Sequence, residues 1–314
     1  MKLQTPVEIP VPSWHIKLGD RLLCMGSCFA ENLGHLLAHH RLDTGINPYG
    51  ITFNPLSLGQ QLVELIADEK PKMEALFNRD DLFHHWQYHG RFSAADAEAA
   101  WQGMLEAFNA GRKRLMQANT LVLTWGSAHY YNHREKNVIV NNCHKMPGNL
   151  FSRNRASLGQ IIDLWIPLTE TLIRTNPDVR IVLTVSPVRY LRDGLVENNR
   201  SKATLLLAAE ALANTFPDHL YYFPAYEIQI DMLRDYRFYE RDMTHPTSLA
   251  IEYILDRFLD TMLKPADQLT WRSLKQLVQQ LDHRPLHPDL PDHQNRIKQT
   301  ELELHNLLKG LAAH

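Results

Sequence analysis

The feature that most restricts the fold of this 314-residue chain is a repeated alternation of short apolar runs, closed by turn residues, with longer stretches of helical period. The apolar runs fall at 22–25, 42–46, 120–125, 179–185 and 220–223. Between them, helical patterns occupy about 29–40, 56–67, 94–116, 158–174, 201–215 and 247–263. In the first, Phe29, Leu33, Leu36 and Leu37 recur at i, i+4, i+7 and i+8, a stripe that must face a core. The alternation predicts an α/β domain of three layers, α/β/α, with a mostly parallel five-stranded sheet covered on both faces.

Two parts stand outside that scheme. Residues 68–118 read as a helical insertion that includes the aromatic and histidine-rich stretch 83–92. The main domain is expected to span 1–264, followed at 265–314 by a helical extension. Within the extension, 284–291 is too rich in proline for helix or central strand and reads as a linker. The last segment, 294–311, places Ile297, Leu304, Leu307, Leu308 and Leu311 on one face, as a docking or homo-oligomerising helix would.

Composition removes several function classes. The 33 Lys and Arg nearly balance 35 Asp and Glu, so no global field draws the chain to nucleic acid or an anionic membrane. No apolar run approaches the roughly 20 residues of a membrane-spanning helix. The first residues carry no basic segment followed by an apolar one, and the expected compartment is cytoplasmic. Three cysteines, Cys24, Cys28 and Cys143, are too few for a disulfide framework and suit a reducing environment. The adjacent pairs His39-His40 and His84-His85 match no tetrahedral spacing and read as surface or packing residues rather than metal ligands.

In an open parallel sheet, ligands bind where the loops at the carboxyl ends of the strands converge. Here those loops carry Gly26-Ser27, Asn47-Pro48-Tyr49-Gly50, Gly126-Ser127-Ala128-His129, Ser186-Pro187-Val188-Arg189 and, beyond the fifth strand, Asp242-Met243-Thr244-His245. Ser27 breaks a strand at a glycine just before a helix, a placement that suits a nucleophile and equally suits a plain N-cap. Asp242 and His245, three apart, can share one side of a turn, so the carboxylate can fix the imidazole tautomer. Taken alone, that pair fits a surface ion pair or a cap better than catalysis. Its meaning changes because Ser27 reaches the same rim from the far end of the chain.

Gly26-Ser27-Cys28-Phe29-Ala30 resembles the motif of the GSCFA family, a branch of the SGNH hydrolases. The likeness continues through Asn47-Pro48-Tyr49-Gly50-Ile51, Asn142-Cys143-His144-Lys145, Thr184-Val185-Ser186-Pro187-Val188-Arg189, Glu197-Asn198-Asn199-Arg200-Ser201-Lys202 and Asp235-Tyr236-Arg237-Phe238-Tyr239, covering about 20–260. The resemblance implies a flavodoxin-like fold, a triad of Ser27, Asp242 and His245, and esterase chemistry on small acyl groups, carbohydrate-linked ones included. Two departures stand out. The usual Gly-Asp-Ser is here Met25-Gly26-Ser27, and the usual Gly-x-Asn-Asp block is Gly126-Ser127-Ala128-His129. A lost oxyanion donor costs about 3 kcal/mol of barrier, so a substitute is needed. The Gly50 backbone N–H corresponds to the superfamily's second-block glycine, and Asn47, His129, Asn142 and His144 offer side-chain donors, each also a candidate structural hydrogen-bonder. Arg189 suits a substrate carboxylate or phosphate, or an ion pair with Asp193 or Glu197.

The expected reaction is attack by Ser27 on an ester, with His245 as base, Asp242 steadying the imidazolium, the amides of Ser27 and Gly50 holding the oxyanion, and no metal or cofactor. Water completes a hydrolase and a sugar hydroxyl completes an O-acyltransferase. Three rivals remain. One is thiol chemistry at Cys28, disfavoured because neighbours of a cleft-facing Ser27 should turn to the core, and eliminated by a fully active Cys28→Ala. Another is a silent glycan-binding module using Trp86, Tyr88 and Phe92 as a platform. The last is a scaffold acting through its C-terminal helix, which predicts that removal of the residues after Pro291 leaves the fold intact.

Overall fold

A computed structural model describes residues 5–283, 286 and 290–311. The chain opens with β1 (Leu22–Gly26), α1 (Cys28–His39), β2 (Thr44–Ile46) and α2 (Pro55–Ala67). Asn54 starts α2 by accepting the Ser57 N–H at 2.8 Å, with Pro55 in the first turn where its missing N–H costs nothing. A hairpin of β3 (Phe77–Arg79) and β4 (Leu82–His84) leads to α3 (Ala97–Gln117), capped by Asp96, and to β5 (Thr120–Trp125). Next come three antiparallel strands, β6 (His129–His133), β7 (Val138–Val140) and β8 (Phe151–Arg155). The chain returns through α4 (Leu158–Thr175), started by a Ser157/Gln160 capping box, to β9 (Arg180–Val185), α5 (Gly194–Thr215) and β10 (Leu220–Tyr222). A short α6 (Ala225–Glu227) runs into a π-turn, and α7 (Ser248–Met262), α8 (Pro265–Asp282) and α9 (Pro291–Leu311) follow.

The central sheet has the order β10-β9-β5-β1-β2, with every pair parallel. Counted within that sheet alone, the order is the doubly wound 2-1-3-4-5 of a flavodoxin-like fold, with its switch point between the first and third strands. Side chains alternate across it. Leu121, Leu123 and Trp125 meet α2, α3, α4 and α5 on one face, while Val122 joins Leu22 and Cys24 beneath α1, α7 and α8 on the other. The three-layer α/β/α architecture expected from the apolar pattern is therefore present, and the sheet is wholly rather than mostly parallel.

Several expectations need correction. The stretch 68–118 is not a helical insertion: it holds the β3–β4 hairpin and then α3, whose Ala100, Met104, Phe108 and Leu115 pack into the same core as the sheet. The three-stranded sheet at 129–155 was not anticipated, and α5 begins at Gly194 rather than 201. Trp86 and Tyr88 offer no platform, since both are buried, Trp86 stacked on Phe77 at 3.8 Å between centroids and Tyr88 on Tyr49 at 4.6 Å; Phe92 packs half-buried on the core. The paired histidines are held individually, His39 by Asp282 at 2.7 Å, His40 against Trp271 and His84 by Ser93 at 2.6 Å. Among the described residues no helix is long and apolar enough to cross a membrane.

The stretch expected as a linker falls mostly outside the described residues, at 284–285 and 287–289. Beyond it, α9 docks on its own chain: Leu304 is buried with Trp271 and Leu274 of α8, and Leu307, Leu308 and Leu311 pack on that cluster. Burying a leucine is worth about 1.5–3 kcal/mol, so truncation after Pro291 should lower Tm by at least about 5 °C in a thermal melt. An unchanged melt would show that the helix is dispensable to the fold.

Candidate active site

The turn at Ser27 exists because residue 26 is glycine. Its φ is +131°, and a Cβ there would sit 2.1 Å from the Thr124 carbonyl oxygen on the neighbouring β5. The turn is braced from β2. Asn47 accepts the Gly26 N–H through Oδ1 at 2.8 Å, and its own N–H donates to the Cys24 carbonyl at 2.9 Å. Ser27 occupies the N-cap position of α1, yet its side chain makes no capping bond. The hydroxyl is buried and has no hydrogen-bond partner among the described residues. A polar group in that state is costly unless something else uses it.

The acidic partner is built on the loop before α7. The Thr244 and His245 N–H groups donate to Asp242 Oδ1 at 2.9 and 3.0 Å, and His245 Nδ1 lies 2.6 Å from Asp242 Oδ2. Those bonds, from the His245 amide and ring and from the Thr244 amide, hold the Asp242 carboxyl down at about 2. The loop is pinned at both ends: the Glu240 N–H donates to the His245 carbonyl at 2.7 Å, and the Arg189 N–H to the Thr244 carbonyl at 3.1 Å. With Nδ1 engaged, Nε2 is the ring nitrogen left for chemistry.

Ser27 and His245 line one cavity of about 280 Å³, together with Gly126, Ser186, Arg189 and the apolar Phe53, Val188 and Leu191. It sits at the carboxyl ends of β1, β5 and β9, beside the switch point of the sheet. The Ser27 hydroxyl and the imidazole are not hydrogen-bonded to each other. Catalytic hydrogen bonds are commonly long before substrate binds, so the shared cavity is the more telling observation.

The other expected site residues divide sharply. Gly126 and Arg189 line the cavity; Asn47, Gly50, His129, Asn142 and His144 do not. Asn47 is committed to the Gly26 turn. The Gly50 N–H donates to the Asn47 carbonyl at 2.8 Å, so it is not a free oxyanion donor, and neither are the amides of Ser27, bonded to Thr124 O at 3.1 Å, and Gly126, bonded to Phe53 O at 2.7 Å. His129 sits on β6 beside Ser127, its basicity lowered by burial. Asn142 accepts the His144 N–H at 2.8 Å, and His144, lowered to about 4 by burial, bonds the His85 carbonyl. Arg189 forms no ion pair with Asp193 or Glu197, which pair instead with Arg153 and with Arg155 and Arg200.

Two residues enter that spacing did not assign. Cys28, expected to face the core, lines the cavity beside Ser27. Burial pushes its thiol up, outweighing the Phe29 and Cys28 amides and Lys202, which pull the other way. It is therefore a protonated thiol at neutral pH and a poor nucleophile. Lys202, on α5, is 1% exposed and donates from Nζ to the carbonyls of Gly126 at 2.7 Å and Ser186 at 2.6 Å, tying together the chain ends that follow β5 and β9. The signal for it lay in the pattern: Lys202 shares the buried face of α5 with Asn198, Leu205, Ala209 and Leu212.

No curated protein matches the chain. A family profile does, over residues 21–258, a span that takes in the Ser27 turn, the Asp242–His245 loop, the cavity between them and Lys202. With more than half of its length matched, from β1 through most of α7, the chain belongs to the GSCFA family.

Proposed function

We propose that this protein is a serine hydrolase of the SGNH type, cleaving a small acyl ester through Ser27, His245 and Asp242. One observation carries the reading: a buried serine hydroxyl bonded to nothing shares a cavity with an imidazole whose far nitrogen is already held by a carboxylate. In the first step the Ser27 oxygen attacks the ester carbonyl carbon while His245 Nε2 takes its proton, after the serine side chain and the 240–246 loop have brought the two into hydrogen-bond reach. The tetrahedral intermediate collapses, the C–O bond to the alcohol breaks, and His245 returns the proton to the leaving oxygen. Water then attacks the acyl-serine by the reverse sequence. A sugar hydroxyl in place of that water gives the O-acyltransferase alternative.

For the oxyanion donors, the first turn of α1 replaces the groups expected from spacing. Ser27 does not cap that helix, so among the described residues the Cys28 and Phe29 amides have no backbone acceptor and face only the Cys28 sulfur, and they sit at the positive end of the helix dipole. The space beside Phe53, Val188 and Leu191 suits a short acyl chain such as acetyl. A fluorophosphonate probe tests the reading directly. Wild-type protein should acquire a covalent adduct on Ser27, seen by mass spectrometry, and Ser27→Ala should acquire none. A folded wild type that stays unlabelled would return the family's cleft to a binding role without covalent chemistry.

A further inference from the structure

Arg189 lines the Ser27 cavity and also a second cavity of about 380 Å³ on its other side. Its guanidinium stacks on Tyr239, 3.9 Å from the ring centroid, and lies 5.3 Å from that of Tyr236. Stacking occupies the faces of the guanidinium and leaves its N–H groups in the plane for a ligand. Nε is buried without a hydrogen-bond partner, and among the described residues no carboxylate pairs with the group. A partly buried cation held against two tyrosine rings, with its Nε unpaired and no carboxylate partner, is a receptor for an oxyanion.

The second cavity adds the complementary groups. Gln229, 0% exposed, presents an Oε1 with no partner, an acceptor suited to a ligand hydroxyl. Arg234 supplies another cation, and the nearby carboxylate of Asp235 is engaged by the Arg237 amide at 2.9 Å and faces its guanidinium at 3.7 Å. Asn199 and Tyr226 complete a wall of amides and phenols. We propose that this second cavity is the subsite for the alcohol half of the substrate, and that this half is an acidic sugar, a hydroxylated ring bearing a carboxylate or a phosphate. Arg189 holds the anion at the border between the two cavities, so the ester oxygen is delivered toward Ser27. The assignment of the alcohol half rests on the serine hydrolase reading; the anion site does not.

The test compares O-acetyl glucose, O-acetyl glucuronate and an O-acetyl glucose phosphate by acetate release, for wild type, Arg189→Gln, Arg189→Lys and Arg192→Gln. Wild type should favour one of the two anionic esters over the neutral one by about tenfold or more in kcat/KM, and the preferred ester identifies carboxylate or phosphate. Arg189→Gln should collapse that ratio chiefly through KM, Arg189→Lys should restore part of it, and Arg192→Gln, at a residue that lines the Ser27 cavity but not the second one, should retain most of it. In parallel, calorimetry with glucuronate and glucose phosphate should show binding that weakens at least about tenfold in Arg189→Gln. Cleavage with no anion preference, or a preference that depends on Arg192 and not Arg189, overturns the subsite. Anion binding lost in Arg189→Gln without cleavage of any ester keeps the anion site and removes both the hydrolase reading and the assignment of the alcohol half. Absence of both removes both.

Discussion

Asp242→Asn should fold normally and lose about a thousand- to ten-thousand-fold in kcat on any ester the protein cleaves. The asparagine Oδ1 can still accept the Thr244 and His245 amides, now at 2.9 and 3.0 Å from Asp242, so the loop keeps its shape. What changes is the atom facing His245 Nδ1, now 2.6 Å from a carboxylate oxygen. An amide nitrogen there donates rather than accepts, forces Nδ1 to be the unprotonated nitrogen, and places the ring proton on Nε2. That tautomer cannot take a proton from Ser27. The pH dependence sharpens the test. The carboxyl is held down at about 2, so its contribution is present above that value and is lost only as the pH falls through it. Any loss of wild-type activity at milder acidity must come from another group. Measured kcat values within twofold of wild type for Asp242→Asn, with its thermal melt unchanged, would reduce the pair to a loop clasp.

How far such a site can be read from residues alone depends on which physical signal each residue leaves. β5 was legible to the residue, because the six-residue run Thr120–Trp125, rich in strand-forming side chains and closed by Asn119 and Gly126, has the length and composition of a strand buried on both faces. The boundary at β2 was less so: Leu42 lengthens the apolar run but belongs to the turn after α1, its N–H donating to the Leu37 carbonyl. β6 and β8 left almost no signal, since half-buried strands such as His-Tyr-Tyr-Asn-His alternate in neither hydrophobicity nor charge, and β7, Val138-Ile139-Val140, is β-branched throughout but only three residues long. The convergence of Ser27 with His245 was legible because the carboxyl ends of parallel strands share one rim. Which amides are free was not legible, because that depends on hydrogen bonds that spacing does not encode, as the Gly50 and Ser27 amides show. Cys28, expected to face the core because adjacent side chains diverge, opens the first turn of a helix, where neighbouring side chains can both border the space at its end. Lys202 was hidden by a helix onset placed at 201; with α5 starting at Gly194, position 202 lies well inside the helix and on its buried stripe.

Lys202→Met should destabilise the protein by about 2 kcal/mol or more at pH 7, and the deficit should widen as the pH rises. Methionine matches the length of the side chain but leaves the Gly126 and Ser186 carbonyls, now 2.7 and 2.6 Å from Nζ, without a donor. Burial lowers the Lys202 amine from its ordinary 10.5 to about 7. A neutral amine has two N–H groups, the number the two carbonyls require, so deprotonation removes the charge without breaking either bond. Between about 7 and 10.4 the unfolded chain therefore carries a proton that the folded chain does not, and wild-type stability gains with pH through this group. Below about 7 both states are protonated and the group contributes no slope. Urea unfolding of wild type and Lys202→Met at pH 7, 8 and 9 should show their difference growing by about 1 kcal/mol from pH 7 to 8 and by about 1.3 kcal/mol from pH 8 to 9, approaching the ~1.4 kcal/mol per pH unit of one differential proton. The two carbonyls follow the strands that end at the Ser27 cavity, so the same variant should also slow labelling by a fluorophosphonate. A difference that stays flat or narrows over that range would mean that the amine keeps its charge in the folded protein, and that some other group compensates a buried cation beneath the site.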